Sequence, residues 1–141
     1  MTPTGLFFED LTVGQAAELT RVVTDADVRG FAAVSGDDNP VHLDERYAAT
    51  TPFKVRIAHG ILTASYISAL IGTRLPGPGA IYVSQTLSFR RPVKLGDAVH
   101  ARVEIKALDA DKARVTFACL CSVGGKTVLD GEAVAIAPRR A

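Results

Sequence analysis

Period-two alternation governs the second half of the chain. Ile81, Val83, Leu87 and Phe89 alternate with Tyr82, Ser84, Thr86, Ser88 and Arg90, and Val99, Ala101, Val103 and Ile105 alternate with His100, Arg102, Glu104 and Lys106. Val115–Val123 is apolar on both faces, and Thr127–Ile136 follows Gly124-Gly125, a hairpin signal. Apolar residues facing polar ones at this period predict an antiparallel sheet with one face buried.

The first half has a different rhythm. Gly14 precedes a short strand, Ala16–Val23. Thr24 stands three residues before Asp27, a variant of the capping box, and heads an amphipathic stretch through Val28, Phe31, Ala32 and Ser35 that Gly36 is suited to end. Asp37–Pro40 is turn chemistry, and a short helix is expected over Asp44–Ala48. From Ile61 to Ile71 apolar and small residues occur on every side, which predicts a buried helix ended by Gly72. Leu75-Pro76-Gly77-Pro78-Gly79 reads as a rigid loop. No βαβ alternation is present, which disfavours a doubly wound fold. The expected class is α+β: a curled antiparallel sheet whose apolar face is covered by the one element apolar enough to do so, the 61–71 helix.

Length and charge narrow the function. With 141 residues, 48% apolar and 22% charged, the chain is expected to be one domain over residues 1–141. The net charge of +1 makes polyanion binding, and so nucleic acid, a poor reading. The uncharged run Ala58–Thr73 has 16 residues, short of the roughly 20 that a membrane span needs. The first twenty residues carry no signal-like apolar run. Cys119 and Cys121, two apart in an apolar strand, share a face and diverge, so they are read as reduced core residues. No metal-ligand spacing is present. A reducing, cytoplasmic setting is the expectation.

Among acid–base groups, Asp37-Asp38-Asn39-Pro40-Val41-His42 is the densest polar cluster. On a continuous helix Asp37 and His42 would point to nearly opposite faces, but Gly36 has stopped the helix and Pro40 holds Asn39 extended. The loop can then fold back and bring carboxylate and imidazole together around a water, as general acid–base chemistry requires. The other reading is that Asp-Asp-Asn-Pro is simply a good turn, Asp37 a helix cap and His42 a core filler. His100 is read as a surface residue on a polar strand face.

The run Phe31-Ala-Ala-Val34-Ser35-Gly36-Asp37-Asp38-Asn39-Pro40-Val41-His42-Leu43-Asp44 resembles the hydratase 2 motif of the MaoC-like (R)-specific enoyl-CoA hydratases. His59-Gly60-Ile61-Leu62 resembles that family's entry into its central helix. Ser84–Phe89, Pro92-Val93 and Gly96-Asp97 resemble its following strand and turn. Residues before about Leu11 have no clear counterpart. The resemblance implies the hot-dog fold and a homodimer. It implies reversible syn addition of water to a trans-2-enoyl-CoA, giving an (R)-3-hydroxyacyl-CoA, with Asp37 and His42 activating the water and Asn39 orienting the loop. No cofactor is implied, because coenzyme A arrives as part of the substrate.

Gly60 opens the buried helix, where free N–H groups and the helix dipole favour the charge that builds on a thioester oxygen. It is the expected oxyanion donor, the alternative being that it merely permits a tight entry to the helix. His59 is read as structural, bonded to backbone. Ser68 and Ile71 are candidates for the acyl pocket, while Arg90, Arg91 and Lys94 remain unassigned. The alternatives are a 3-hydroxyacyl dehydratase working on acyl carrier protein, a hot-dog acyl-CoA thioesterase, and a non-catalytic acyl-thioester binding subunit.

Overall fold

A computed structural model describes residues 5–141. The sheet is built from β1 (Ala16–Val22), β2 (Ile81–Gln85), β3 (Ser88–Phe89), β4 (Ala98–Asp109), β5 (Arg114–Val123) and β6 (Lys126–Ile136). All pairings are antiparallel. The order is β1-β4-β5-β6-β2, with β3 also paired to β6. Four helices precede most of it: α1 (Asp25–Ser35), α2 (Pro40–Leu43), α3 (Glu45–Ala49) and α4 (Gly60–Thr73).

The alternation in β4 and β5 buries one face as expected. Val99, Ala101, Val103, Ile105, Val115, Phe117, Cys119 and Cys121 point inward against Leu62, Tyr66, Ile67, Leu70 and Ile71 of α4. This is the hot-dog arrangement, a curled sheet around one helix. Cys119 and Cys121 are unpaired and buried, and burial pushes the Cys121 thiol up to about 12. No helix among the described residues is long and apolar enough to cross a membrane.

Local signals account for the ends of α1. Asp27 N–H donates to Thr24 Oγ1 at 3.1 Å while the Asp27 carboxylate accepts from Thr24 N–H at 3.0 Å, closing the capping box. Gly36 takes φ of 80°, the left-handed conformation that lets the chain leave the helix. Of the stretch before Leu11, Leu6 N–H donates to Pro76 O and Phe8 N–H to Pro138 O, both at 2.7 Å, tying the segment to the far end of α4 and to the C-terminus.

Three expectations are corrected. The turn read over Asp37–Pro40 runs at Pro40 into one helical turn, Pro40–Leu43, because Asn39 caps it and Pro40 occupies its first position. The short helix starts one residue later than expected, since Asp44 is its cap and accepts from Arg46 and Tyr47 N–H. The strand expected over Ile81–Arg90 is broken in two, with a register shift between Tyr82 and Ser84. The break has a visible cause: Thr86 N–H donates to Glu132 O at 2.9 Å, and Glu132 N–H to Thr86 Oγ1 at 3.0 Å, so the chain crosses tightly over Gly131.

A Cβ on Gly131 would stand 1.9 Å from the Thr86 carbonyl oxygen, a backbone atom that cannot swing away. Gly131→Ala is therefore expected to destabilise the fold by about 3 kcal/mol or more through overpacking. Thermal unfolding should show a drop of roughly 10 °C for a domain of this size.

Candidate active site

The site begins where α1 stops. Gly36 turns the chain, and Asp37 is held by its own backbone: Asp37 N–H donates to Ser35 Oγ at 3.1 Å, and its Oδ1 accepts from Asn39 N–H at 3.3 Å. Asn39 Oδ1 in turn accepts from Val41 N–H at 3.1 Å. Asn39 thus orients the loop by capping α2, and the cap with Pro40 turns His42 inward.

His42 is gripped by the loop that leads to α4. Its Nδ1 lies 2.8 Å from Ile57 O. A carbonyl can only accept, so Nδ1 carries the proton and Nε2 is left with a free lone pair. Arg56 Nε donates to His42 O at 2.7 Å, and its Nη2 pairs with Asp25 at 2.6 Å, clamping the α2 turn to the start of α1. His42 is 8% exposed. Burial holds its pKa below the usual histidine value; the bond to Ile57 O and the Asp37 charge oppose that shift, and the neighbouring His59 adds to it.

One donor atom from each of Asp37, His42 and His59 lies within 4.8 Å of the others. The fold therefore brings together two residues that stand five positions apart in the motif. His59 is bonded to backbone, as expected, with its Nε2 2.9 Å from Asp37 O. It also does something the sequence did not reveal. Its ring stacks on His42 with centroids 3.8 Å apart and planes 29° apart, and Phe31 tilts against its other side at 4.8 Å. Ring lone pairs lie in the ring plane. Two stacked imidazoles therefore send theirs side by side rather than to a common point, which suits a water between carboxylate and imidazole better than a metal ion.

Gly60 follows at the first position of α4. His59 caps this helix with no side-chain hydrogen bond. The first intrahelical donors are Leu62 and Thr63 N–H, both to His59 O, so Gly60 N–H has no acceptor among the described residues. Beside it opens a cavity of about 480 Å³ lined by Gly60, Ile61, Thr63, Phe89, Arg91 and Leu129, among others. The Phe89 ring sits over Gly60, with Cε1 2.5 Å from where a Cβ would stand.

Ser68 and Ile71 lie further along α4 and outside this cavity; Ser68 is exposed, and Ile71 belongs to the core. Arg90 is paired with Asp130 at 3.1 Å, and Arg91 donates to Thr127 O at 2.7 Å, both at the cavity wall. Sequence reasoning missed Arg56 and Ile57 because a lone arginine in a loop and a backbone carbonyl carry no periodic or motif signal.

Residues 10–119 match the MaoC like domain family. The chain is 54% identical over 135 residues to the 3-hydroxybutyryl-CoA dehydratase of Methylorubrum extorquens, covering 96% of this chain and 86% of that one. It is 52% identical over 134 residues to the (R)-specific enoyl-CoA hydratase of Rhodospirillum rubrum, covering 95% and 93%. The R-hydratase PhaJ1 of Pseudomonas aeruginosa, in its unliganded form, superimposes with a TM-score of 0.91 at 52% identity, covering 96% of this chain and 88% of that one. The fold, the Gly36–His42 motif and these likenesses agree, and the chain belongs to the MaoC-like domain family.

Proposed function

We propose that this protein is an (R)-specific hydratase of trans-2-enoyl thioesters, acting reversibly and with coenzyme A as the first-choice carrier. The observation that carries the reading is the meeting of Asp37 and His42 beside the open N-terminus of α4. A water held between the Asp37 carboxylate and His42 Nε2 attacks C3 of the enoyl group. It gives up a proton to the pair as the C3–O bond forms. The thioester oxygen gathers negative charge and accepts a hydrogen bond from the Gly60 N–H, and the pair passes a proton to C2 on the same side. The sum is addition of one water across the double bond, giving an (R)-3-hydroxyacyl thioester. Asn39 keeps the loop in register, and the cavity beside Gly60, lined by Ile61 and Leu129, takes the acyl chain, while Ser68 and Ile71 lie outside it.

The test is incubation with a short trans-2-enoyl-CoA. Loss of enoyl absorbance without release of free thiol is expected; thiol release would make the protein a thioesterase, and binding without turnover a non-catalytic subunit. The same assay with enoyl groups on acyl carrier protein decides between the two carriers.

The acid side of the pH profile follows from His42. Its pKa lies below the usual value, so kcat/KM is expected to fall with an acid midpoint under the roughly 6.5 of an unperturbed histidine. The unfolded chain takes up the His42 proton first as pH drops. The stability His42 contributes is thus present above that usual value and is lost as pH falls through the interval beneath it. Asp37→Asn removes a charge that favours the imidazolium, so NMR titration of His42 should give a still lower midpoint in that variant.

The assembly we propose is a homodimer paired along β2. This strand ends the sheet order, and its Ile81 and Val83, which alternation places inward, are 60% and 40% exposed. An apolar edge strand is a template for a second copy. Sedimentation equilibrium at micromolar concentration should give twice the 14.9 kDa chain mass, and Val83→Lys should return it toward one. A reducing cytoplasmic setting belongs to the same reading, supported by the two unpaired core cysteines.

A further inference from the structure

We infer that His59 is the positioning residue of the site, one side chain that fixes the Asp37 loop through its Nε2 and backs the His42 ring with its face. This rests on the hydratase reading for its kinetic test. The geometry is independent of that reading.

His59 is 2% exposed and stands between the two halves of the dyad. Its Nε2 faces the Asp37 carbonyl at 2.9 Å, so this nitrogen carries the proton. The other ring nitrogen, Nδ1, is then a bare acceptor, and it is buried without a partner among the described residues. An orphaned buried nitrogen is disfavoured, and a phenylalanine would fill the same space without one. The ring is therefore worth keeping for its donor. That donor holds a catalytic loop that little else restrains from this side, since Asp37, Asp38 and Asn39 are all exposed.

The face of the ring has a second use. It lies 3.8 Å from His42, whose ring is held at its edge by Ile57 O and whose backbone is held by Arg56 and by Asn39 O. Phe31 closes the far side of His59, so the stack cannot slide away. His59 is also the residue before Gly60. Asp37, His42 and the helix N–H that faces the substrate oxygen are thus keyed to one another through a single position in the chain. Misplacement of such groups by about 1 Å costs on the order of 10²-fold in rate.

Two substitutions separate the contacts. His59→Gln keeps an N–H at the Nε2 position and loses the ring; His59→Phe keeps the ring and loses the donor. With thermal unfolding measured beside the kinetics, His59→Phe should lose kcat by about 10²-fold, with KM within about twofold of wild type. His59→Gln should stay within about tenfold of wild type, and its acid limb of kcat/KM should move up, because the stacked imidazole helps to hold the His42 pKa down. The charged groups facing His42, Asp37 from the preceding loop and Arg56 from the following one, are unchanged in both variants.

A packing role would reverse the order, with the space-filling Phe active and Gln impaired. That ranking, or wild-type kcat in His59→Phe, overturns the inference. If Phe does not fold, Gln decides alone: an unmoved acid limb overturns the inference, and an upward shift supports it. NMR titration of His42 in His59→Gln reads the same shift without turnover. Failure of the hydratase reading therefore shows as an inactive wild type, separately from failure of this one.

Discussion

Asp37→Asn and His42→Ala are each expected to lose hydratase turnover by roughly 10²–10⁴-fold, the usual contribution of a general acid–base group. The two variants differ in what else they disturb. Asn at 37 keeps an oxygen for the Asn39 N–H, and the residue is exposed, so the loop and the melting point should survive. Ala at 42 removes a buried ring and leaves the Ile57 carbonyl without its donor at a cost of about 1–3 kcal/mol. Asp37→Asn is therefore the cleaner test of chemistry. Groups that act on one water as a unit do not add, so the double variant should be little slower than either single one. Near-wild-type turnover in folded Asp37→Asn would remove the carboxylate from the mechanism.

Most of the fold was legible because each signal had one physical reading. The alternation in β4 could only bury Val99, Ala101, Val103 and Ile105 together, and the helix apolar on all sides had to be central. Capping chemistry marked both ends of α1. What escaped was set by contacts between distant positions. The tight crossing of Thr86 over Gly131 breaks a strand that alternation draws as continuous. The same alternation assigns Ile81 and Val83 to the core, whereas they lie exposed on β2, the strand that ends the sheet order.

The site divides in the same way. Asp37 and His42 lie five positions apart, and the turn chemistry between them allowed their convergence while leaving open a helix cap and a core filler. His59 lies 17 positions beyond His42, and no local pattern says that its ring stacks there. Nor does the sequence show that Ile57, through a backbone carbonyl, chooses the His42 tautomer. The family motif marks Asp37 and His42 as the proposed pair; the shell around them is a product of packing. That shell fixes Nδ1 as the donor of His42 and leaves the lone pair on Nε2.

Gly60→Val is expected to cost more in activity than in stability. Gly60 does not adopt positive φ, so a side chain brings no backbone strain there. The new Cβ would instead meet the Phe89 ring, at 2.5 Å from Cε1 and 2.7 Å from Cδ1. That ring is 53% exposed and can swing out, which keeps the loss of stability modest. The two methyls then occupy the cavity beside the Gly60 N–H, where the thioester oxygen must approach to about 2.7–3.1 Å for charge stabilisation. Losing one such donor costs roughly 10²–10³-fold in rate. Phe89→Ala in the same chain should recover the melting point without recovering turnover, since it frees the methyls from the ring and leaves them in the way of the oxygen. Unchanged melting and unchanged turnover in Gly60→Val would show that the Gly60 amide is not the oxyanion donor. Recovery of turnover in the double variant would show that the displaced ring, rather than the blocked amide, had carried the loss.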